Sequence, residues 1–148
     1  MSSPATDRRV FVDSSTYYAA VDRGDADHAA VAATMHRLVD DRRRLVTTNA
    51  ILFELHSLLL NRLGRHVAFA TLTELQASQT VVRVQPRDEA RAEAILAQYD
   101  DKEFSLTDAL SFAVMQRLGI GTAFALDRHF AQFGWVVVPL EEGARRGR

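Results

Sequence analysis

Four carboxylates in this chain stand where apolar sequence begins, ends or is interrupted, and together they could hold a hard divalent cation. Asp13 closes the run Val10-Phe11-Val12, and Asp127 closes Thr122-Ala123-Phe124-Ala125-Leu126. Asp108 follows Ser105 by three residues at the start of an apolar segment that runs to Leu118. There it can cap a helix, bind a metal or act as a general base. Glu54 lies three residues after Ile51 and four before Leu58, within the apolar stripe of a helical pattern. A carboxylate in that stripe is costly to desolvate unless a cation or strong donors meet it; a wet stripe edge would make it an ordinary surface residue. Crowded acids also raise one another's pKa. Mg²⁺ relieves that repulsion, because it prefers oxygen ligands, keeps several waters and accepts one or two carboxylates plus a substrate phosphate. Such an ion activates water and stabilises charge developing on a phosphodiester, and two ions about 3.5–4 Å apart could clamp both the attacking and the leaving oxygen.

The elements that must position these acids follow from periodicity. Five short, nearly continuous apolar runs read as strands, at 10–12, 45–47, 80–84, 122–126 and 135–138. Helical patterns lie between them, at 15–21, 27–41, 49–63, 67–75, 86–99 and 105–118, with a short turn around Phe130 and Phe133. Ser14, Ser15 and Thr16 can cap the first helix, Thr48 or Asn49 the third, and Ser105 the sixth. Gly64 and Gly119 can end the last two of these. The core face of 49–63 is expected to be Ile51, Leu55, Leu58, Leu59 and Leu63. That of 105–118 is expected to be Leu110, Phe112, Ala113, Val114 and Leu118. Strands alternating with helices predict an α/β domain with a parallel sheet. In open sheets of this kind ligands bind beyond the carboxyl ends of the strands, where the strand order reverses. If the first and fourth strands are neighbours there, Asp13 and Asp127 converge, and Glu54 and Asp108 can reach the same crevice.

The chain has 148 residues, 47% hydrophobic and 25% charged, enough for one domain with a substantial core. A single domain over residues 8–140 is expected, with flexible tails at 1–7 and 141–148. No cysteine is present, which excludes disulfides, thiolate zinc sites and thiol nucleophiles and suits a reducing cytoplasm. No apolar run approaches a membrane span, and the first residues lack a signal-peptide core. Net charge is −1 with a pI near 6.5, so no global basic field points to nucleic acid. Arginines cluster locally at 8–9, 42–44 and 145–148, where they could hold a polyphosphate backbone. The five histidines form no His-x-x-x-His pair, which argues against a zinc site; His129, two residues after Asp127, could approach a substrate phosphate, but helix-surface packing is its expected role. Asp100 and Asp101 read as solvated. Phosphate-binding glycine loops and a Gly-x-Ser-x-Gly elbow are absent.

At these residues the sequence resembles the PIN-domain ribonucleases, and within them the VapC toxins of bacterial toxin–antitoxin pairs. The resemblance is carried by Val12-Asp13-Ser14-Ser15, Glu54, Ser105-Leu106-Thr107-Asp108-Ala109 and Leu126-Asp127-Arg128-His129-Phe130. It extends from about Val10 to Val138. It implies a three-layer fold with a five-stranded parallel sheet of order 3-2-1-4-5. It also implies endonucleolytic RNA cleavage with Mg²⁺ or Mn²⁺, a homodimer, and inhibition by a cognate VapB-like antitoxin. Asp13, Glu54, Asp108 and Asp127 would be the family's acidic quartet, and Ser14 or Ser15 its hydroxyl near the first acid. Ala125 departs from the hydroxyl residue that many relatives have two positions before the last acid.

Two other readings remain at this level. An Mg²⁺-binding phosphoacceptor or signalling domain would need a lysine at a strand end, whereas Lys102 lies in a predicted loop. A non-catalytic interaction module would use the same acids only as helix caps.

Overall fold

The apolar runs become strands because each is short, rich in β-branched or aromatic residues, and followed at once by a capping or turn residue. In the computed structural model, which describes residues 7–142, the strands are β1 (Arg9–Val12), β2 (Arg44–Thr48), β3 (Thr80–Val82), β4 (Thr122–Phe124) and β5 (Val136–Val137). All neighbouring pairs are parallel and the order is β3-β2-β1-β4-β5, as expected. The helices are α1 (Ser14–Val21), α2 (His28–Asp40), α3 (Asn49–Leu63), α4 (Arg65–Ser78), α5 (Pro86–Gln98), α6 (Leu106–Leu118) and α7 (His129–Phe133). The strand order reverses beside β1. That puts the residues after β1 and β4 next to one another.

Hydrogen bonds beyond the ladder fasten this switch point. The Asp13 N–H donates to the Phe124 carbonyl at 3.1 Å, and the buried Thr16 hydroxyl donates to the same oxygen at 2.8 Å. Thr47 Oγ1 donates to the Val12 carbonyl at 3.1 Å. The core beneath is aromatic: Phe11, Phe112, Phe124 and Phe130 are fully buried. Phe130 stacks on Phe11 with centroids 6.2 Å apart and meets Phe112 edge-on at 5.0 Å. These contacts seat α6 and α7 against the sheet.

Several local expectations change. Asp13, rather than a following hydroxyl, is the N-cap of α1, and the helix begins one residue early at Ser14. The fourth strand stops at Phe124, because the next polar contact, from Leu126 N–H, goes to Ser15 Oγ (3.2 Å) instead of a neighbouring strand. Asp127 therefore sits on a short loop rather than at the strand end. On α3 the buried face is Ile51, Leu52, Leu55 and Leu59, with Leu58 and Leu63 only half-buried. Glu54 is exposed. A step of about 100° per residue explains this: Glu54 stands at the wet edge of the stripe, not within it. On α6, Met115 joins the core while Leu110 and Leu118 are half-buried.

The two arginine clusters within the described residues fall at the wrong edge for the expected role. Arg8 and Arg43 line a hollow with Arg37 at the amino ends of the strands, and Arg9 pairs with Asp7 at 3.1 Å. Because β1 and β2 run parallel, their arginine-bearing ends lie about 13 Å from their carboxyl ends. The cluster at 145–148 lies outside the described residues, as do the expected tails apart from Asp7, Glu141 and Glu142. Of these, Asp7 pairs with Arg9, and Glu141 with Arg37 at 2.8 Å. Among the described residues no helix is long and apolar enough to cross a membrane.

Candidate active site

The four acids line one cleft at the carboxyl edge of the sheet. Its volume is about 510 Å³, and its walls are Asp13, Ser14, Ser15, Glu54, Ser57, Leu58, Asn61, Ser105, Asp108, Asp127 and His129. Four separate stretches contribute: the start of α1, the middle of α3, the start of α6 and the loop before α7.

Asp13, Asp108 and Asp127 are fixed by the way a helix begins beside them, and Glu54, in the middle of α3, by a bond from α1. Asp13 is 3% exposed. Its Oδ2 accepts from the Ser15 hydroxyl at 2.7 Å and from the Ser15 N–H at 3.3 Å. Ser14 turns the other way and donates to Glu54 Oε2 at 2.9 Å, joining α1 to α3. Asp108 completes a capping box: its Oδ2 accepts from Ser105 N–H at 3.0 Å while Ser105 Oγ accepts from Asp108 N–H at 3.0 Å. Gly119, at φ 72°, provides the left-handed residue that ends this helix. Asp127 Oδ1 accepts from His129 N–H at 2.9 Å, an Asx-type turn that starts α7. The capping reading of Asp108 is therefore correct and does not exclude a ligand role, since Oδ1 has no hydrogen-bond partner among the described residues.

His129 belongs to the site, against the surface role expected for it. Its Nδ1 lies 2.8 Å from Asp108 Oδ2 and 4.0 Å from Asp127 Oδ1. A carboxylate only accepts, so Nδ1 carries the proton in that contact. The ring packs edge-on against Phe104 at 5.7 Å, which orients it. Asp108, Asp127 and His129 can bring one ligand atom each within 4.8 Å of one another. The local signal was present in Asp127-x-His129, but the partner that gives His129 a role is 21 positions away.

The electrostatics fit a cation. Burial pushes the Asp13 carboxyl up to about 7, and the charges of Asp127 and Asp108 add to the effect while Ser15 opposes it. Asp127 is raised too, by burial first and then by Asp108, against the His129 contacts. Among the described residues no Lys or Arg lines the cleft. The donor set is oxygen-rich with a single imidazole, which suits Mg²⁺ or Mn²⁺ better than a soft metal. A phosphoacceptor site finds no lysine here, because Lys102, the only lysine of the chain, pairs with the exposed Asp101 at 3.0 Å.

Comparison with known proteins identifies the family. Residues 10–136 match the PIN domain family model. VapC20 of Mycobacterium tuberculosis, a 23S rRNA-specific endonuclease, is 38% identical over 133 residues, covering 87% of this chain and 97% of VapC20. The crystal structure of VapC20, a sarcin–ricin loop cleaving toxin, matches with a TM-score of 0.77 at 35% identity over 86% of this chain and 96% of that one. Ribonuclease VapC26 of the same organism is 27% identical over 124 residues, 82% of this chain and 90% of VapC26. VapBC2 of Rickettsia felis, solved with a DNA fragment from its promoter, shares the fold alone, with a TM-score of 0.69 at 9% identity over 90% and 99% of the two chains. Both the sheet order and the match over residues 10–136 place this chain in one family: it is a PIN-domain protein.

Proposed function

We propose that this chain is a metal-dependent endoribonuclease acting as the toxin of a toxin–antitoxin pair. The observation that carries the reading is the convergence of Asp13, Glu54, Asp108 and Asp127 on one cleft whose only basic side chain among the described residues is His129. Kinship with VapC20 and VapC26 supports the choice of RNA, and makes 23S rRNA the first substrate to examine.

Asp13, Glu54, Asp108 and Asp127 would hold Mg²⁺, or Mn²⁺, directly or through water. When bound, the ion supplies activation of water and neutralises charge developing on the phosphodiester. The protein's own part is positional. Ser15 holds one Asp13 oxygen and, through Leu126 N–H, ties it to the loop of Asp127. This bond stands where Ala125 offers no hydroxyl. Ser14 steadies Glu54, and the Ser105 N–H steadies Asp108, so either acid can orient or deprotonate the attacking water. The amino termini of α1 and α6 both open on the cleft, where their dipoles favour a phosphate.

A VapB-like antitoxin is the partner this reading requires, and a cytoplasmic homodimer is the proposed working form. The groove between α1, α2 and α4, lined by Tyr17, Ala20, Val21, Met35 and Leu75 together with the polar Thr71, Glu74 and Gln79, could receive an amphipathic helix.

Incubation of the purified protein with total RNA, with Mg²⁺ or with chelator, tests the activity. Discrete new 5′ ends that vanish with chelator are expected; intact RNA with every divalent ion, or cleavage indifferent to chelator, contradicts the reading. Within this site His129→Ala is expected to lower cleavage about tenfold, the usual effect of losing a group that orients a metal-binding carboxylate. An unchanged rate at limiting Mg²⁺ would remove His129 from the account.

A further inference from the structure

The face of α3 that lines the cleft carries Glu54, Ser57, Leu58 and Asn61. This i, i+3, i+4, i+7 spacing forms one stripe of a helix. The other polar side chains of the cleft are engaged within the protein: Ser14 with Glu54, Ser15 with Asp13, Ser105 and His129 with Asp108. Ser57 and Asn61 are different. Both are exposed, and among the described residues neither side chain has a hydrogen-bond partner. With no Lys or Arg along these walls among the described residues, a strand passing Ser57 and Asn61 meets neutral donors and acceptors, not cationic point charges. A cation at position 61 would also be drawn to the neighbouring acids, whereas a carboxamide leaves them free.

We propose that Ser57, Leu58 and Asn61 form a nucleotide subsite beside the acids, in which Asn61 reads an adenine flanking the cut. The proposal rests on the ribonuclease reading above. Asn61 lies two turns beyond Glu54, about 10 Å along the helix axis, which suits a neighbouring nucleotide and not the scissile phosphate. Its carboxamide presents a donor and an acceptor side by side, the pattern that pairs with adenine N6 and N7. Bases of unpaired RNA can be splayed out and read on these edges. Leu58, between the two polar residues, offers an apolar surface to the ribose or base. The Ser57 hydroxyl can meet a phosphate oxygen or 2′-OH, which positions the strand without specifying it.

The test takes the cut site mapped on total RNA and varies it one base at a time in short transcripts, cleaved with Mg²⁺ by wild type, Asn61→Ala, Asn61→Gln and Ser57→Ala. Wild type is expected to prefer adenine at one flanking position. Asn61→Ala should lose about tenfold in kcat/KM on that base, mainly through KM, and cut all four bases at similar rates. Asn61→Gln, which keeps the amide, should regain part of the preference; Ser57→Ala should raise KM equally for every base. Wild-type cleavage without an adenine preference, or Asn61→Ala with the wild-type KM and preference, overturns the subsite and leaves the ribonuclease reading standing. If wild type cuts no RNA with any divalent ion, the ribonuclease reading fails and the subsite falls with it.

Discussion

Asp13→Asn is expected to abolish RNA cleavage and, in the same protein, to raise the stability of the metal-free form at pH 8. The two effects have one cause. Asp13 is buried beside Asp108 and Asp127, and its carboxyl is pushed up to about 7. Folding therefore favours the protonated acid over the ionised one. For a group whose folded pKa is raised, the favourable contribution is present below the unfolded pKa near 4. It is lost as pH rises to about 7, and above that the ionised form is a liability on the order of 4 kcal/mol. A carboxamide oxygen can still accept the Ser15 bonds, and the substitution removes the charge. Urea unfolding with chelator present should find the variant and wild type alike near pH 4, and the variant more stable at pH 8. Cleavage should fall by about 10³-fold or more, since several kcal/mol of metal-assisted stabilisation is lost. Full activity in Asp13→Asn, or equal stabilities at pH 8, would contradict the electrostatic account of the cleft.

Asp88→Ala is expected to cause a large loss of stability although the residue lies away from the cleft. Asp88 is 2% exposed and meets Arg117 through two parallel bonds, Oδ1 to Nε at 2.8 Å and Oδ2 to Nη2 at 2.9 Å. Its Oδ2 also accepts from Gln85 N–H at 2.8 Å, completing the capping box of α5. Burial alone would raise this carboxyl, yet Arg117, the Gln85 N–H and Arg87 together hold it below the usual range. Its stabilising contribution is thus present above the ordinary carboxylate pKa and fades as pH drops through the lowered value. Removing either partner strands the other in poor solvent, at a cost of about 3–5 kcal/mol. Arg117→Met should be similarly severe, and the double replacement should cost clearly less than the sum of the two. The pair ties α5 to the far end of α6, about 13 Å along the axis from Asp108. Cleavage measured well below the melting transition should therefore persist in Asp88→Ala. Additive losses in the cycle would show that the pair is not coupled.

The strands, the order of elements and the candidates Asp13, Asp108 and Asp127 are legible in the sequence, because each signal is local: an apolar run, a capping residue, a turn. Glu54 is picked out by the family resemblance and by a stripe position it does not occupy. What the sequence misjudged depends on direction or distance. The spacing of Glu54 from Ile51 and Leu58 suggests a place within the apolar stripe, yet one step around the helix sets it at the open edge where Ser14 can reach it. Arg8, Arg9, Arg43 and Arg44 suggest a phosphate track, but a parallel sheet puts the starts of its strands at the edge opposite the acids. Asp88 looks like one more charge in the polar segment Arg87-Asp88-Glu89. Only the packing of α5 on α6 buries it against Arg117. His129 gains its role from Asp108 in another helix, a contact that no spacing rule predicts.

RNA cleavage is expected to need one divalent centre held by the acids of the cleft. Calorimetric titration of Mn²⁺ into wild type, Asp13→Asn and Asp108→Asn at pH 8 tests that requirement most directly, beside cleavage assays on the same samples. Saturable binding by wild type is predicted, with both binding and cleavage lost together in the two variants. Undiminished Mn²⁺ binding in the variants, or RNA cleavage by a wild-type protein that binds no metal, would contradict it.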